Sequence, residues 1–272
     1  MNASTVHTLD AQVSAATQRL AELDAARPEI LVATSTGARG LAESLEGGAA
    51  LDVGSGLTLH AGELAGRATW IADVAADEAD ASAPWARALP IWLAAAAGAR
   101  CVLHTCAGTA LVGQEPGAIA RVSDHLNLSG RSPLTGLGES RLGPLFPDQT
   151  RVHDPELGAL ARGLGEARGT TMFDAVAACT IGPALATPAE FRWYRSVGAD
   201  VAVQGLASPL IASAHAGLSG VALCAITDRA DEAVDVAALV ARSAEVAPAL
   251  DALVLELVAA LPAFEDEDDA TP

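Results

Sequence analysis

Lysine is absent from this sequence, and aromatic side chains are scarce. All sixteen basic residues are arginines, against thirty-four acidic residues, which gives a formal net charge of −18. Nucleic acids and anionic membranes both bind basic surfaces, so we expect neither as a partner. Two origins of this composition stay open at this point: adaptation to a salt-rich cytoplasm, and GC-rich coding, which favours Ala, Gly and Arg.

Long apolar runs are also missing. No window approaches eighteen unbroken apolar residues, and the N-terminus lacks a basic stretch followed by an apolar core. This predicts a cytoplasmic protein without a membrane span. Cysteine is sparse and scattered, and the six histidines are dispersed, so we expect reduced buried thiols, no metal site and no cofactor. The cysteines are Cys101, Cys106, Cys179 and Cys224.

Half of the residues are apolar, which is enough to bury a large core. Without a linker or an internal repeat, the pattern favours one α/β domain over residues 1–262, followed by an acidic, disordered tail at 263–272. Near the C-terminus, residues 201–226 predict a strand, a helix and a strand that form a βαβ unit. Two amphipathic helices are expected after it.

Two glycine-bearing turns are candidate ligand sites. LDVGSG (51–56) resembles a nucleotide-binding turn, but the next residues, LTLHAGELAG, predict a hairpin rather than a helix, which favours an ordinary turn. TSTG (34–37) follows a predicted strand, where hydroxyls and backbone amides can hold a phosphate.

A polar cluster interrupts the apolar sequence at RVSDHLNLSG (121–130). Asp124, His125 and Asn127 follow a short apolar run directly. From the residues alone two interpretations are equal: a functional site, or a hydrogen-bonded turn with a non-catalytic histidine. The Gly/Pro-rich stretch from 129 to 149 comes next, and loops of that length inside a domain are usually functional.

The order of four segments carries a family resemblance. SDHLNLSGRSPLTG, RLGPLFPD, IGPALATPAEFRWYRSVGADV and ALCAITD follow one another at the family's spacing. In this the chain resembles the trimeric purine nucleoside phosphorylases, which include methylthioadenosine phosphorylases. The resemblance implies a mixed, partly closed β-sheet surrounded by helices, a homotrimer, and a purine nucleoside cleaved by phosphate.

The resemblance also assigns substrate-binding positions. They are Thr36 in the phosphate loop, Cys106, Ala107 and Gly108 in the base-pocket wall, Leu185 beside the base, Gln204 under the ribose, and Phe146, which would reach a neighbouring subunit. Asp228 takes the place of a base-contacting asparagine. If burial raised its pKa, it would be the candidate catalytic acid.

Several family ligands are replaced. Ala75 and Asp77 stand where the resemblance expects Arg and His, Gly205 replaces a phosphate-binding serine, and Ala186 replaces the base-binding glutamate. A carboxylate about 4 Å from a phosphate charge repels it by roughly 4 kcal/mol at an effective dielectric near 20. Phosphate is therefore expected as co-substrate only if another cation, Arg39 or Arg131, has taken over.

Three hypotheses follow from the sequence. The first is a poor or inactive phosphorylase that still binds nucleosides. The second is an active nucleoside-cleaving enzyme, a phosphorylase or a hydrolase, that uses Asp228 on a changed substrate. The third is a regulatory or structural subunit of an active homologue.

Overall fold

The computed structural model describes residues 4–23, 25–35, 40–53, 57–74, 84–232 and 235–264. These residues form six helices: α1 (Ser4–Glu22), α2 (Leu89–Ala97), α3 (Pro155–Ala167), α4 (Pro188–Ser196), α5 (Ala207–Ala216) and α6 (Val236–Ala260). They form nine strands: β1 (Ile30–Thr34), β2 (Glu46–Asp52), β3 (Thr58–Leu64), β4 (Arg67–Asp73), β5 (Cys101–Ala110), β6 (Ile119–Asn127), β7 (Met172–Thr180), β8 (Val201–Gln204) and β9 (Ser219–Arg229). Ala86–Ala88 form a 3₁₀ turn before α2.

The nine strands make one mixed sheet in the order β2-β3-β4-β1-β5-β8-β7-β6-β9, and β9 also pairs with β5. That extra pairing closes β5, β8, β7, β6 and β9 into a ring. The first half of β5 lies between β1 and β9, and its last three residues pair with β8 instead of β1. The expected mixed, partly closed sheet is confirmed.

Helices cover the sheet on opposite sides. One apolar cluster joins α1 and α2 to residues of β1, β3 and β4, and includes the buried indole of Trp92. A second joins α6 and α3 to the opposite faces of β1, β5 and β9. A third fills the inside of the ring with small residues, among them Cys106, Ala120 and Ala222. Such complete coverage is what an apolar, parallel-rich sheet requires.

The predicted βαβ unit is wrong. β8 pairs antiparallel with β5, whereas β9 pairs parallel with the same strand, so β8 and β9 run in opposite directions and do not pair with each other. Local periodicity finds a strand, a helix and a strand, but it cannot reveal that a third strand separates the two.

The two predicted C-terminal helices are one. α6 runs for 25 residues with Pro248 inside it. An interior proline costs a helix about 3 kcal/mol. Here Val246 and Leu250 on either side of it are buried against the sheet, and their packing keeps the helix continuous.

The acidic tail falls almost wholly outside the described residues. At its start, Phe264 packs on the core and under the guanidinium of Arg67, whose carbon lies 5.2 Å from the ring centre.

Among the described helices none combines the length and the apolar character that crossing a membrane requires.

A buried histidine makes stability depend on pH. His104 of β5 is 1% exposed, and its Nε2 lies 3.1 Å from Oγ of Ser213, which itself donates to the carbonyl of Pro209. Ser213 therefore accepts from His104, which is neutral. Burial, followed by the charges of His153 and His125, lowers the pKa of His104 to about 3.

Because the unfolded chain binds this proton near pH 6.5, we expect stability to fall as the pH drops from about 6.5 towards 3. His104 alone accounts for about 2 kcal/mol between pH 7 and pH 5. His104→Gln keeps an N–H for Ser213 and should flatten that dependence in urea unfolding measured at both pH values. An equally steep dependence in the variant would contradict this assignment.

Candidate active site

An open cavity of about 380 Å³ lies where β1 ends beside the middle of β5. Its lining comes from β5, β8, β9, the turn after β7, the 3₁₀ turn before α2 and the first turns of α6: Ser35, Arg87, Ala107, Gly108, Thr109, Gly182, Pro183, Leu185, Ala202, Gln204, Thr227, Asp228, Leu239 and Ser243. A larger groove, of about 550 Å³, follows α1, and its lining comes mostly from that helix. Polar groups from several strands converge only in the first, which is typical of a ligand site.

Close backbone packing shapes the wall of this cavity. A Cβ on Gly108 would lie 2.7 Å from Sγ of Cys224 and 2.8 Å from the carbonyl oxygen of Ala202, so glycine is required there. Beside it the pairing of β5 with β9 shifts, because Gly108 faces Ile226 and Thr109 already faces Asp228. This bulge turns the end of β9 towards the cavity, as bulges near sites often do.

Asp228 is held by two threonine hydroxyls. Thr109 donates to its Oδ2 at 2.8 Å, and Thr227 donates to its Oδ1 at 2.8 Å. Both carboxylate oxygens therefore act as acceptors, and Asp228 lies in the lining of the cavity.

Arg87 places a cation in the cavity. It extends from the 3₁₀ turn before α2 and lies against Gly205, at the end of β8, so closely that a Cβ on Gly205 would overlap its Nη1. Gly205 also has φ of +75°, a conformation that favours glycine. The glycine that removes the expected serine hydroxyl thus leaves room for a guanidinium.

Five of the predicted site residues are brought together here. Ala107, Gly108, Leu185, Gln204 and Asp228 all line the cavity. The amide of Gln204 donates to the carbonyl of Ala184, which ties β8 to the turn after β7.

Cys106 does not belong to this surface, contrary to the prediction. It is 1% exposed, and its thiol points into the ring of strands towards the carbonyl of Leu223. A hydrogen bond with Cys224, together with burial, raises the pKa of Cys106 well above its usual value.

Other predicted residues lie elsewhere. Ala186 packs beneath α4 and is not part of the lining. Glu190, four residues further on, does not replace the missing glutamate, because its carboxylate accepts from the backbone N–H of Thr187 at 2.6 Å and caps α4. Phe146 is 87% exposed and does not line the cavity of its own chain.

Only some of the residues expected to affect phosphate binding lie in the described part of the chain. Arg131 lies in the loop after β6, away from the cavity lining. The remaining candidates, Thr36, Arg39, Ala75 and Asp77, lie outside the described residues.

The polar cluster that follows Val122 is part of a strand rather than a turn after it, because β6 continues to Asn127. Asn127 organises the loop beyond: its Nδ2 donates to the carbonyl of Arg131 at 2.8 Å, and its Oδ1 accepts from the backbone of Ser129. The turn interpretation therefore suits Asn127, whereas His125 contacts His153.

Sequence reasoning included Ser35 in the TSTG turn but missed Arg87, Thr109 and Thr227. Ser35, next to the predicted Thr36, follows β1 directly, and its hydroxyl donates to the carbonyl of Thr105 at 3.2 Å. No sequence motif marks Arg87, since its long side chain reaches Gly205 from a different element, the 3₁₀ turn before α2. Thr227 could have been found because it directly precedes Asp228 in the segment ALCAITD, whereas Thr109 contacts Asp228 from another strand.

The chain is similar to known proteins in sequence and in fold. Residues 29–259 match the model of the phosphorylase superfamily. The chain is similar to purine nucleoside phosphorylase 1 of Geobacillus stearothermophilus, with 34% identity over 116 residues, which is 43% of this chain and 42% of that protein. It is also similar to purine nucleoside phosphorylase of Mycobacterium tuberculosis, with 33% identity over 175 residues, or 62% and 61% of the two chains. The chain thus spans about half the length of these relatives.

A solved structure has the same fold. The crystal structure of Schistosoma mansoni purine nucleoside phosphorylase in complex with adenosine superposes with a TM-score of 0.82 at 21% identity, over 93% of this chain and 98% of that one.

Proposed function

The chain belongs to the phosphorylase superfamily, and from that premise we propose that its cavity binds a purine nucleoside together with phosphate and cleaves the nucleoside slowly. The observation that carries the proposal is Arg87, whose guanidinium lies against Gly205 inside the cavity. The loss of the expected phosphate ligands at Ala75, Asp77 and Gly205 would then be partly offset by a cation from a different element.

The charges of the cavity suit the two halves of phosphorolysis. Phosphate needs a cation and hydrogen-bond donors, and the guanidinium of Arg87 would supply both. As the bond to the sugar breaks, N7 of the departing purine would take up a proton from solvent, and a carboxylate would stabilise the resulting N7–H by accepting a hydrogen bond from it. Asp228 is the acidic residue in the lining.

The base side explains why the reaction would be slow. Ala186 supplies no carboxylate, and the capping role of Glu190 prevents it from serving instead. One missing group of this kind typically lowers a rate by about 10²-fold or more. Arg87 thus favours a poor phosphorylase over an inactive protein, and the acceptor role of Asp228 argues against a hydrolase that uses it as an acid.

The proposed assembly is a homotrimer. Phe146 is 87% exposed on its own chain, and the family resemblance places this residue in a neighbouring subunit's pocket. A phenylalanine this exposed is accounted for if a second copy of the chain covers it.

The test is release of free base from adenosine, inosine, guanosine and methylthioadenosine, with and without inorganic phosphate. We expect slow release that requires phosphate. Release without phosphate would favour a hydrolase, and no release from an intact oligomer would favour a binding or regulatory subunit, so either result would overturn the proposal.

A further inference from the structure

A second group of polar side chains lies between β6 and the start of α3, apart from the cavity lining. His125 of β6 and His153, which precedes α3, are 28 residues apart in sequence, and their Nδ1 and Nε2 atoms lie 3.1 Å apart. The carboxylate of Asp124 joins them, so that one oxygen and two nitrogens all lie within 4.8 Å of one another. None of the three residues lines the cavity described above.

The spacing of these atoms fits shared coordination. Two imidazole nitrogens bound to one zinc ion at 2.0–2.1 Å in tetrahedral geometry would lie roughly 3.3 Å apart. A direct hydrogen bond between the rings gives a similar separation, so the distance alone does not decide between them. A hydrogen-bonded pair of histidines needs no third partner. A metal ion, in contrast, would use the nearby carboxylate oxygen of Asp124 as a third ligand.

The nearest arginine of β6 is already paired with a carboxylate. Arg121, the nearest arginine on the same strand, is engaged by Asp174, with Nε to Oδ1 at 2.7 Å and Nη2 to Oδ2 at 2.6 Å. Within the described residues Asp124 has no such ion pair; its Oδ1 accepts from the backbone N–H of His125 at 2.7 Å.

We propose that Asp124, His125 and His153 form a binding site for one divalent transition metal ion of the zinc type. Two imidazoles and a carboxylate are a ligand set that zinc and its neighbours accept, with water completing the coordination. The sequence led to the expectation of no metal because its histidines are dispersed. The fold brings two of them together.

The ion would fasten β6 to the start of α3. Asp154, next to His153, already caps that helix by accepting from the backbone N–H groups of Glu156 and Leu157. The Gly/Pro-rich stretch at 129–149, which carries Phe146, lies between the two histidines in sequence. A bound ion would therefore fix both ends of the segment that presents Phe146.

The test is a titration of the chelator-treated full chain with Zn²⁺ against a competing chromophoric chelator, and with Co²⁺ followed by visible absorption. We expect one equivalent of tightly bound zinc and Co²⁺ bands without a thiolate contribution, since the four cysteines are buried. His153→Gln should weaken zinc binding by at least about tenfold, the loss that even an outer partner of a metal ligand can cause.

Two further variants keep the experiment decisive. Asp124→Asn changes an exposed residue, leaves the histidine pair intact and should also weaken binding. His60→Gln, on β3 outside the group, is the matched control and should bind as the wild type does. The proposal is overturned if no stoichiometric ion binds, if Co²⁺ shows a thiolate band, or if Asp124→Asn and His153→Gln both bind as tightly as the control.

Discussion

Arg87→Met lowers phosphate-dependent release of the base by about 100-fold, with most of the loss in the apparent affinity for phosphate. The guanidinium is the cation beside Gly205, and losing one preorganised group that stabilises charge typically costs about 10²–10³ in rate. Methionine keeps most of the length and the apolar contacts of the side chain. The measurement is initial rate against phosphate concentration at saturating nucleoside.

Two variants show whether the effect belongs to this position. Arg131→Met removes an exposed arginine of the loop after β6 and should leave the phosphate dependence unchanged. Gly205→Ser restores the hydroxyl that the family resemblance expects, but the new side chain would overlap Nη1 of Arg87 and displace the guanidinium. The φ of +75° at this residue also disfavours any side chain. We expect weaker phosphate binding from it as well. An Arg87→Met enzyme as responsive to phosphate as the Arg131→Met enzyme would refute the assigned role.

Asp228→Asn lowers kcat by about 100-fold or more. Losing one preorganised group that stabilises developing charge typically costs about 10²–10³ in rate, and the amide keeps the size of the side chain while losing its charge. In addition, Thr109 and Thr227 each donate to a carboxylate oxygen, and the amide nitrogen can accept from neither. Stopped assays with the nucleoside at saturation measure this directly.

Thr109→Val and Glu139→Gln separate charge from position. The valine removes one donor but leaves the carboxylate, so kcat should fall by a smaller factor than in Asp228→Asn. Glu139→Gln makes the same change from acid to amide on an exposed loop residue and should have no effect. A kcat for Asp228→Asn equal to that of Glu139→Gln would remove Asp228 from the mechanism.

The sequence predicts the fold class well because apolar periodicity and the order of the family segments agree. It fails where distant strands decide the outcome. The direction of β8 depends on its partner β5, and the continuity of α6 through Pro248 depends on the surface beneath Val246 and Leu250. Neither partner is visible in a local window.

The site divides in a similar way. Ala107, Leu185 and Asp228 could be placed because they lie inside recognisable segments. Arg87 could not, because the family resemblance expects cations at other positions of the chain, whereas this guanidinium reaches Gly205 from the 3₁₀ turn before α2. The His125 and His153 pair likewise requires the three-dimensional path of 28 residues.

Closure of the ring through β5 and β9 limits how copies of this chain can associate. Within the described residues β2 is left as the free edge of the sheet. Its sequence, EGGAALD, has adjacent glycines and an acidic residue at each end, features that discourage strand-to-strand aggregation. Assembly by extending the sheet is therefore disfavoured, and the proposed oligomer would form through side-chain contacts such as those of the exposed Phe146.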